Sequence, residues 1–190
     1  MIAPRTRKCA VCRTMFARFQ TTQKVCSTDC AIALVMQQKA KLERKRDRER
    51  KQALKTRSDY IREAQTAFNR YIRARDADRL CICCGLPLGS DSGSGGDYDC
   101  GHYRSVGSAP HLRFDERNAH AQRKQCNRWG AGRAVDYRIR LIFRIGLPAV
   151  EDLEATQGTA KWSIVELVAI RDRYRAKLRE LKKNAYVEAA

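Results

Sequence analysis

The chain has 190 residues and carries 39 Lys and Arg against 21 Asp and Glu, a formal net charge of +18. That excess raises the potential over the whole surface and favours a polyanionic partner, nucleic acid first, because each neutralised phosphate releases condensed counterions. No apolar run approaches the ~20 residues needed to span a bilayer, and the N-terminal MIAPRTRKC lacks the apolar centre of a signal peptide. No membrane role is expected and the chain reads as intracellular. Its nine cysteines are then expected as metal ligands and small buried hydrophobes, not disulfides.

Residues 1–33 form the first expected module. Cys9 and Cys12 make a CxxC and Cys26 and Cys30 a CxxxC, two close pairs that together supply the four thiolates of a structural zinc site. Met15, Phe16 and Phe19 lie between the pairs and are expected to cap a mini-domain too small for a core of its own.

Residues 34–79 read as helices. The segment from Ala31 contains no Gly or Pro until well past Lys55, and between Gln37 and Arg57 it holds ten basic and three acidic residues. It is polar all round, which suits a solvated connecting helix or a DNA-contacting arm. Ser58 is the expected N-cap of a following helix, whose Tyr60, Ile61, Ala64, Ala67, Phe68, Tyr71 and Ile72 make one apolar stripe for docking on the next domain.

Residues 134–190 read as C-terminal helices serving as scaffold or dimer surface. AVDYRIRLIFRI ends at Gly146, LPAVEDLEA carries Pro148 in its first turn, and Ser163 with Glu166 has capping-box spacing. The last helix shows a stripe through Ile164, Leu167, Ile170, Tyr174, Leu178 and Leu181. SDSGSGGD (90–97) is expected to be a flexible loop.

Residues 80–133 hold the densest chemistry. Cys81 and Cys84 form a further CxxC with Cys126 as its distant partner, but Arg123 stands where a second CxxC would need cysteine. The fourth ligand is left open among Cys83, Cys100, His120 and water, or the site stays empty; Cys100 is carried forward as the stand-in. Between the knuckles lie Gly101-His102, then Asn118, then Cys126-Asn127. This order resembles the HNH, or ββα-metal, nucleases in their His-Asn-Asn variant, where a hairpin carries the first histidine and a helix the last ligand.

That resemblance implies four roles. His102 is the general base, a neutral imidazole being one of few side chains that accept a proton near neutral pH. Asn118 orients that imidazole or braces the loop. Asn127 offers an oxygen to a hard ion such as Mg²⁺, and Asp99 is the nearest upstream carboxylate for the same ion. Arg104, Arg113, Arg117, Arg123, Lys124 and Arg128 crowd the module as phosphate contacts. Tyr103 and Trp129 are candidates for base stacking, and His111 and His120 for supporting or phosphate-contacting groups. No base-reading helix is evident, so recognition by shape or backbone is expected over recognition by sequence.

The order extends over nearly the whole chain. The four-cysteine module, the charged helix, LKTRSDYIREAQTAFNRYIRARD, CICCG, DCGHYRS, APHLRFDERNAHAQ, CN and the closing RIG, VEDLE and SIVE segments together resemble the NinG family of lambdoid phages, also called Rap. The resemblance implies a structure-specific endonuclease that cuts branched DNA, Holliday junctions and D-loops included, during phage recombination. It further implies zinc as structural metal, Mg²⁺ or Mn²⁺ as catalytic metal, action as a homodimer, and the cytoplasm of the bacterial host. The fold expected is α+β and mostly helical: zinc module, long basic helix, ββα-metal core with zinc knuckles, C-terminal helices. Arg123 departs from the family pattern. The rival from another class is therefore a non-catalytic, zinc-stapled junction-binding protein, with an RNA-binding regulator third.

Overall fold

The computed structural model describes residues 5–90, 96–129 and 133–188, with side chains to 185. The loop expected at 90–97 falls largely outside them. The chain is mostly helical with two small antiparallel sheets, and it divides into two compact units, Met1–Lys55 and Thr56–Ala190. Four separate segments were expected; the helical segment 34–79 is instead cut at residue 55, and its second half folds with everything that follows.

In the first unit, β1 (Thr6–Lys8) pairs with β2 (Met15–Ala17), placing Arg7 opposite Phe16. The knuckle between them closes with Cys9 N–H donating to the Thr14 carbonyl at 2.9 Å and Arg13 N–H to the Cys9 carbonyl at 3.1 Å. Arg13 holds φ 67°, in the left-handed region a tight turn demands. Of the three apolar residues expected to cap the module only Phe16 is half-buried; Met15 points to the other face of the strand and Phe19 is 94% exposed. Helix α1 (Thr28–Ala53) begins where Ser27 accepts from Cys30 N–H. No residue of α1 is fully buried; from Gln37 on this accords with its almost wholly polar sequence, while Ile32, Val35 and Met36 in its first turns stay more than half exposed.

The second unit opens with α2 (Arg57–Arg75). Its cap is Thr56, not Ser58: Thr56 Oγ1 accepts from Asp59 N–H and the Asp59 carboxylate accepts from Thr56 N–H. The reason is reciprocity. Three residues after Thr56 stands a carboxylate, whereas three after Ser58 stands Ile61, which has no acceptor to return. The predicted stripe is buried at Ala64, Ala67, Phe68 and Ile72, and it docks on α5 (Ile164–Glu188) through Leu167, Ile170 and Tyr174, with Phe114 and Ala119 completing this core. Arg171 on α5 reaches Glu63 on α2 at 3.1 Å. The capping box of Ser163 and Glu166 forms as expected, and Ile164, at its exposed end, is 44% accessible.

Strands β3 (Tyr98–His102) and β4 (Ala119–Arg123) pair antiparallel, with His102 opposite Ala119 and Asp99 opposite Gln122. A turn of π-helix, Gln125–Trp129, follows β4. Helices α3 (Ala134–Ile145) and α4 (Leu147–Ala155) meet at Gly146, whose φ of 85° is free of strain only without a Cβ. Their Tyr137, Leu141, Val150 and Leu153 build a second core against Ile82, Leu88, Tyr98 and the buried cysteines. The hairpin therefore lies between two cores and contributes to both, through Tyr98 and Ala121 to one and Cys100 and Ala119 to the other.

Candidate metal centres and the histidine hairpin

Cys9, Cys12, Cys26 and Cys30 bring their sulfurs within 4.8 Å of one another, Cys12 to Cys26 at 3.5 Å and Cys26 to Cys30 at 3.7 Å. Four thiolates at ~2.3 Å from one zinc ion sit about 3.8 Å apart, so the spacing suits a tetrahedral structural ion. The first pair comes from the knuckle of the hairpin and the second straddles the start of α1, as the two spacings predict.

The second group is Cys81, Cys83, Cys84 and Cys126, again within 4.8 Å, with Cys81 and Cys83 at 3.5 Å. Cys83 fills the place left open by Arg123, and Cys100 is not part of the group. Gly85 makes this possible: at φ 69° it closes the turn by donating to the Cys81 carbonyl at 3.0 Å, and a Cβ there would strike the Arg140 guanidinium at 2.4 Å. Position 123 contributes its backbone instead, Arg123 N–H donating to Cys81 Sγ at 3.4 Å, while Gln122 Nε2 donates to Cys83 Sγ at 3.5 Å. Such outer donors stabilise thiolates in a metal site. Both donor sets fit zinc. Cys100 packs in the α2–α5 core, and burial pushes its thiol well above the ordinary range, so it stays protonated.

His102 is half-buried at the end of β3, its ring 5.9 Å from that of Phe68. Its Nε2 lies 3.0 Å from the Arg113 carbonyl. A carbonyl only accepts, so Nε2 carries the proton and the lone pair stays on Nδ1. Burial also lowers the imidazole pKa, partly opposed by that carbonyl, which keeps the ring neutral at neutral pH.

Asn118 is fully buried and braces the loop between the strands. Its Oδ1 accepts from Arg104 N–H at 2.8 Å, and its Nδ2 donates to the carbonyls of Arg104 at 3.0 Å and Leu112 at 3.2 Å. The bracing role is the one of the two expected roles that the geometry carries. Asp99 and Asn127 meet, Asn127 Nδ2 donating to Asp99 Oδ2 at 3.3 Å, and Arg128 closes on the same carboxylate at 2.8 Å. One carboxylate and one amide oxygen are all that this pair has to offer a hard cation, and the carboxylate is engaged by Arg128 and by the Asn127 amide nitrogen. Asp99 and His102 do not converge: three residues, about 10 Å of strand, separate them, and the pleat turns them to opposite faces. Among the described residues the cysteine clusters are the only groups of three or more His, Cys, Asp and Glu placed to share an ion.

Most of the expected phosphate contacts work inside the protein. Arg104 donates to the carbonyls of Leu153 and Glu154, Arg113 to Gln65 Oε1, and Arg117 pairs with Asp115 and Asp152. Arg128 holds Asp99, and Arg123 and Lys124 are half-buried at the hairpin's end. Tyr103 donates its hydroxyl to Glu154 and packs on Tyr137, which removes it as a stacking platform, while Trp129 remains 77% exposed.

A buried ionic network escaped the sequence reading. Asp76, with no exposed surface, accepts twice from Arg75 at 2.9 Å and from Ala121 N–H at 3.0 Å. Although its burial opposes ionisation, His120 and Arg75 beside it hold the carboxyl far below the usual range. Arg75 also donates to His120 Nδ1 at 3.1 Å, and His120 Nε2 donates to the Arg117 carbonyl at 3.1 Å. His120 Nδ1 thus stands between the Arg75 guanidinium, which only donates, and the Asp76 carboxylate at 3.5 Å, which only accepts. His120 ties α2 to β4 as a structural residue. An acid at a helix end followed by a mid-strand histidine was the available signal.

A family model described as "Bacteriophage Lambda NinG protein" matches residues 1–184. Among curated proteins the chain is similar to "Protein ninG" of Escherichia phage lambda, 38% identical over 210 residues with all of both chains covered. It is likewise 38% identical to "Protein ninG" of Escherichia phage 933W, again with all of both chains covered, and to that of Salmonella phage P22, with 90% of each covered. No solved structure matches. Among the described residues no helix is long and apolar enough to cross a membrane.

Proposed function

Because the chain belongs to the NinG family of bacteriophage proteins, we propose that it is a metal-dependent endonuclease of the HNH type that cuts branched DNA, Holliday junctions and D-loops among its substrates. The observation that carries the reading is the state of His102: Nε2–H donates to the Arg113 carbonyl and burial keeps the imidazole neutral, which leaves Nδ1 as a base. Asn118 keeps the carbonyl in place by fastening the neighbouring residue of the same loop.

Asp99 and Asn127 would hold the divalent ion, which when bound supplies charge stabilisation to the scissile phosphate and leaving oxygen. His102 takes a proton from water, Asn118 fixes the loop that orients it, and the cluster of Cys81, Cys83, Cys84 and Cys126 holds the knuckle beside the hairpin and the Asn127 turn. Two cuts across a four-way junction require two sites, so the chain acts as a homodimer. The exposed Val135, Ile139 and Phe143 of α3, spaced at four residues, supply an apolar surface for it.

A second reading, a zinc-stapled protein that binds junctions without cutting, is favoured by one observation: Asp99 is already paired with Arg128 and turned away from His102. Incubation of a synthetic four-way junction with Mg²⁺ or Mn²⁺ separates the two. Cleavage by the natural chain, reduced about 10²- to 10⁴-fold in His102→Ala, supports the nuclease. No cleavage by the natural chain, with junction binding intact in both proteins, leaves the binder.

A further inference from the structure

The charges of α1 are not scattered. Eight basic residues fall between Lys39 and Lys51, with Glu43, Asp47 and Glu49 among them. At 3.6 residues per turn, Lys41, Arg44, Lys45, Arg48 and Lys51 share one face about 120° wide. None of the three carboxylates lies on that face. Lys39, Arg46 and Arg50 occupy the other side together with Glu43 and Asp47. Glu49 stands at the edge, 3.8 Å from Lys45, both side chains well exposed, so the pair is screened by water and takes little from the face. Every residue concerned is exposed, as is all of α1 from Val35 onward.

A merely solvated helix gains from intermixed signs, because pairs at i,i+4 stabilise it and like charges at that spacing oppose it. Lys41 with Lys45 and Arg44 with Arg48 are like-charge pairs at that spacing, an arrangement that weakens the helix unless a polyanion neutralises it. A membrane surface is a poor match, since an interfacial helix needs a broad apolar half and here the reverse side carries Glu43 and Asp47. The face extends about 15 Å from Lys41 to Lys51 at 1.5 Å per residue, long enough to meet several successive phosphates of a duplex.

We propose that this face of α1 is a phosphate-binding surface for duplex DNA, contacting the backbone without reading sequence. The inference rests on the nucleic-acid part of the proposed function and is independent of cleavage. The test compares two triple substitutions of equal charge in the full, zinc-loaded chain: Lys41→Gln, Arg44→Gln, Arg48→Gln on the face, and Lys39→Gln, Arg46→Gln, Arg50→Gln off it. Binding to a fluorescent linear duplex is followed by anisotropy from 50 to 200 mM salt. At about 0.9 per phosphate contact, the face variant is expected to lower the slope of log K against log salt by about 2 to 3, and the control by less than about 1.

Equal losses in the two variants would reduce the effect to net charge and overturn the surface, as would an unchanged slope in the face variant. A third variant, Lys41→Arg, Arg44→Lys, Arg48→Lys, keeps the charge and is expected to bind as the natural chain does; loss of binding there would also overturn it. Retained duplex binding by the face variant together with lost binding to phosphatidylserine vesicles would assign the face to membrane instead. The same proteins report separately on cutting. Absent cleavage with unequal slopes defeats the nuclease alone, and equal slopes with intact cleavage defeat the surface alone.

Discussion

The side-chain amide of Asn118 donates to the carbonyl of Leu112 at 3.2 Å, one residue before the carbonyl that accepts from His102. An amide with no exposed surface thus sets the position of the histidine it does not touch. Asn118→Ala removes three hydrogen bonds and leaves the Arg104 amide and carbonyl without partners, the Leu112 carbonyl keeping the Asp115 N–H at 3.2 Å, at about 1–3 kcal/mol for each group left unsatisfied. Urea denaturation is expected to show a loss of roughly 3 kcal/mol. A loss below about 1 kcal/mol would mean that water repairs the site and that the amide is no brace.

The zinc assignment replaces Cys100, the stand-in expected from sequence, by Cys83. Elemental analysis of the purified chain is expected to give two zinc ions, two again for Cys100→Ser, and near one for Cys83→Ser. Equal zinc in the natural chain and Cys83→Ser would return the fourth position to another ligand.

The cap of α2 offers a test in which the two candidates stand two residues apart. Thr56→Ala breaks the reciprocal bonds with Asp59 and is expected to cost about 1 kcal/mol, while Ser58→Ala, already inside the helix, is expected to change stability by less than about 0.5 kcal/mol. Thermal or urea unfolding of the pair decides it, and a larger loss at Ser58 would move the cap.

His120 predicts a pH dependence of stability. Burial lowers its folded-state pKa, and Arg75 adds to the effect against the opposing pull of Asp76. With an unfolded value near 6.5, the unfolded chain takes up a proton first as the pH falls. Stability is therefore full above that value and declines as the pH drops through it toward the folded value. His102 is lowered by burial too and contributes with the same sign. The urea midpoint is expected to fall between pH 7.5 and 5.5, and less steeply in His120→Gln; identical slopes would show that His120 titrates as freely folded as unfolded.

Helix ends and cysteine pairs were legible in the sequence because their causes are local. Gly146 stops α3, Pro148 opens α4, Glu166 answers Ser163, and the CxxC spacing needs only a turn. Thr56 and Ser58 are alike as caps by residue type, and only the Asp59 carboxylate three places after Thr56 separates them. Cys83 was one of several candidates because a CxCC run does not say which sulfurs face the ion until the turn at Gly85 is built. The arginines were harder still. Nothing in spacing separates Arg104, spent on two α4 carbonyls, from a residue aimed at phosphate, because both environments present oxygen acceptors and only tertiary packing chooses between them.

Gly101 meets Gln122 across the hairpin: a Cβ there would lie 2.1 Å from Gln122 Oε1 and 2.9 Å from Gln122 Cβ. The neighbouring amide of that same Gln122 donates to the sulfur of Cys83. The missing side chain at residue 101 thus leaves the gap through which the donor to Cys83 Sγ reaches across the strand that ends in His102. Any larger residue would have to displace that donor, so the position just before the histidine is closed to a side chain of its own, and the cysteine knuckle and His102 share a single mechanical tolerance.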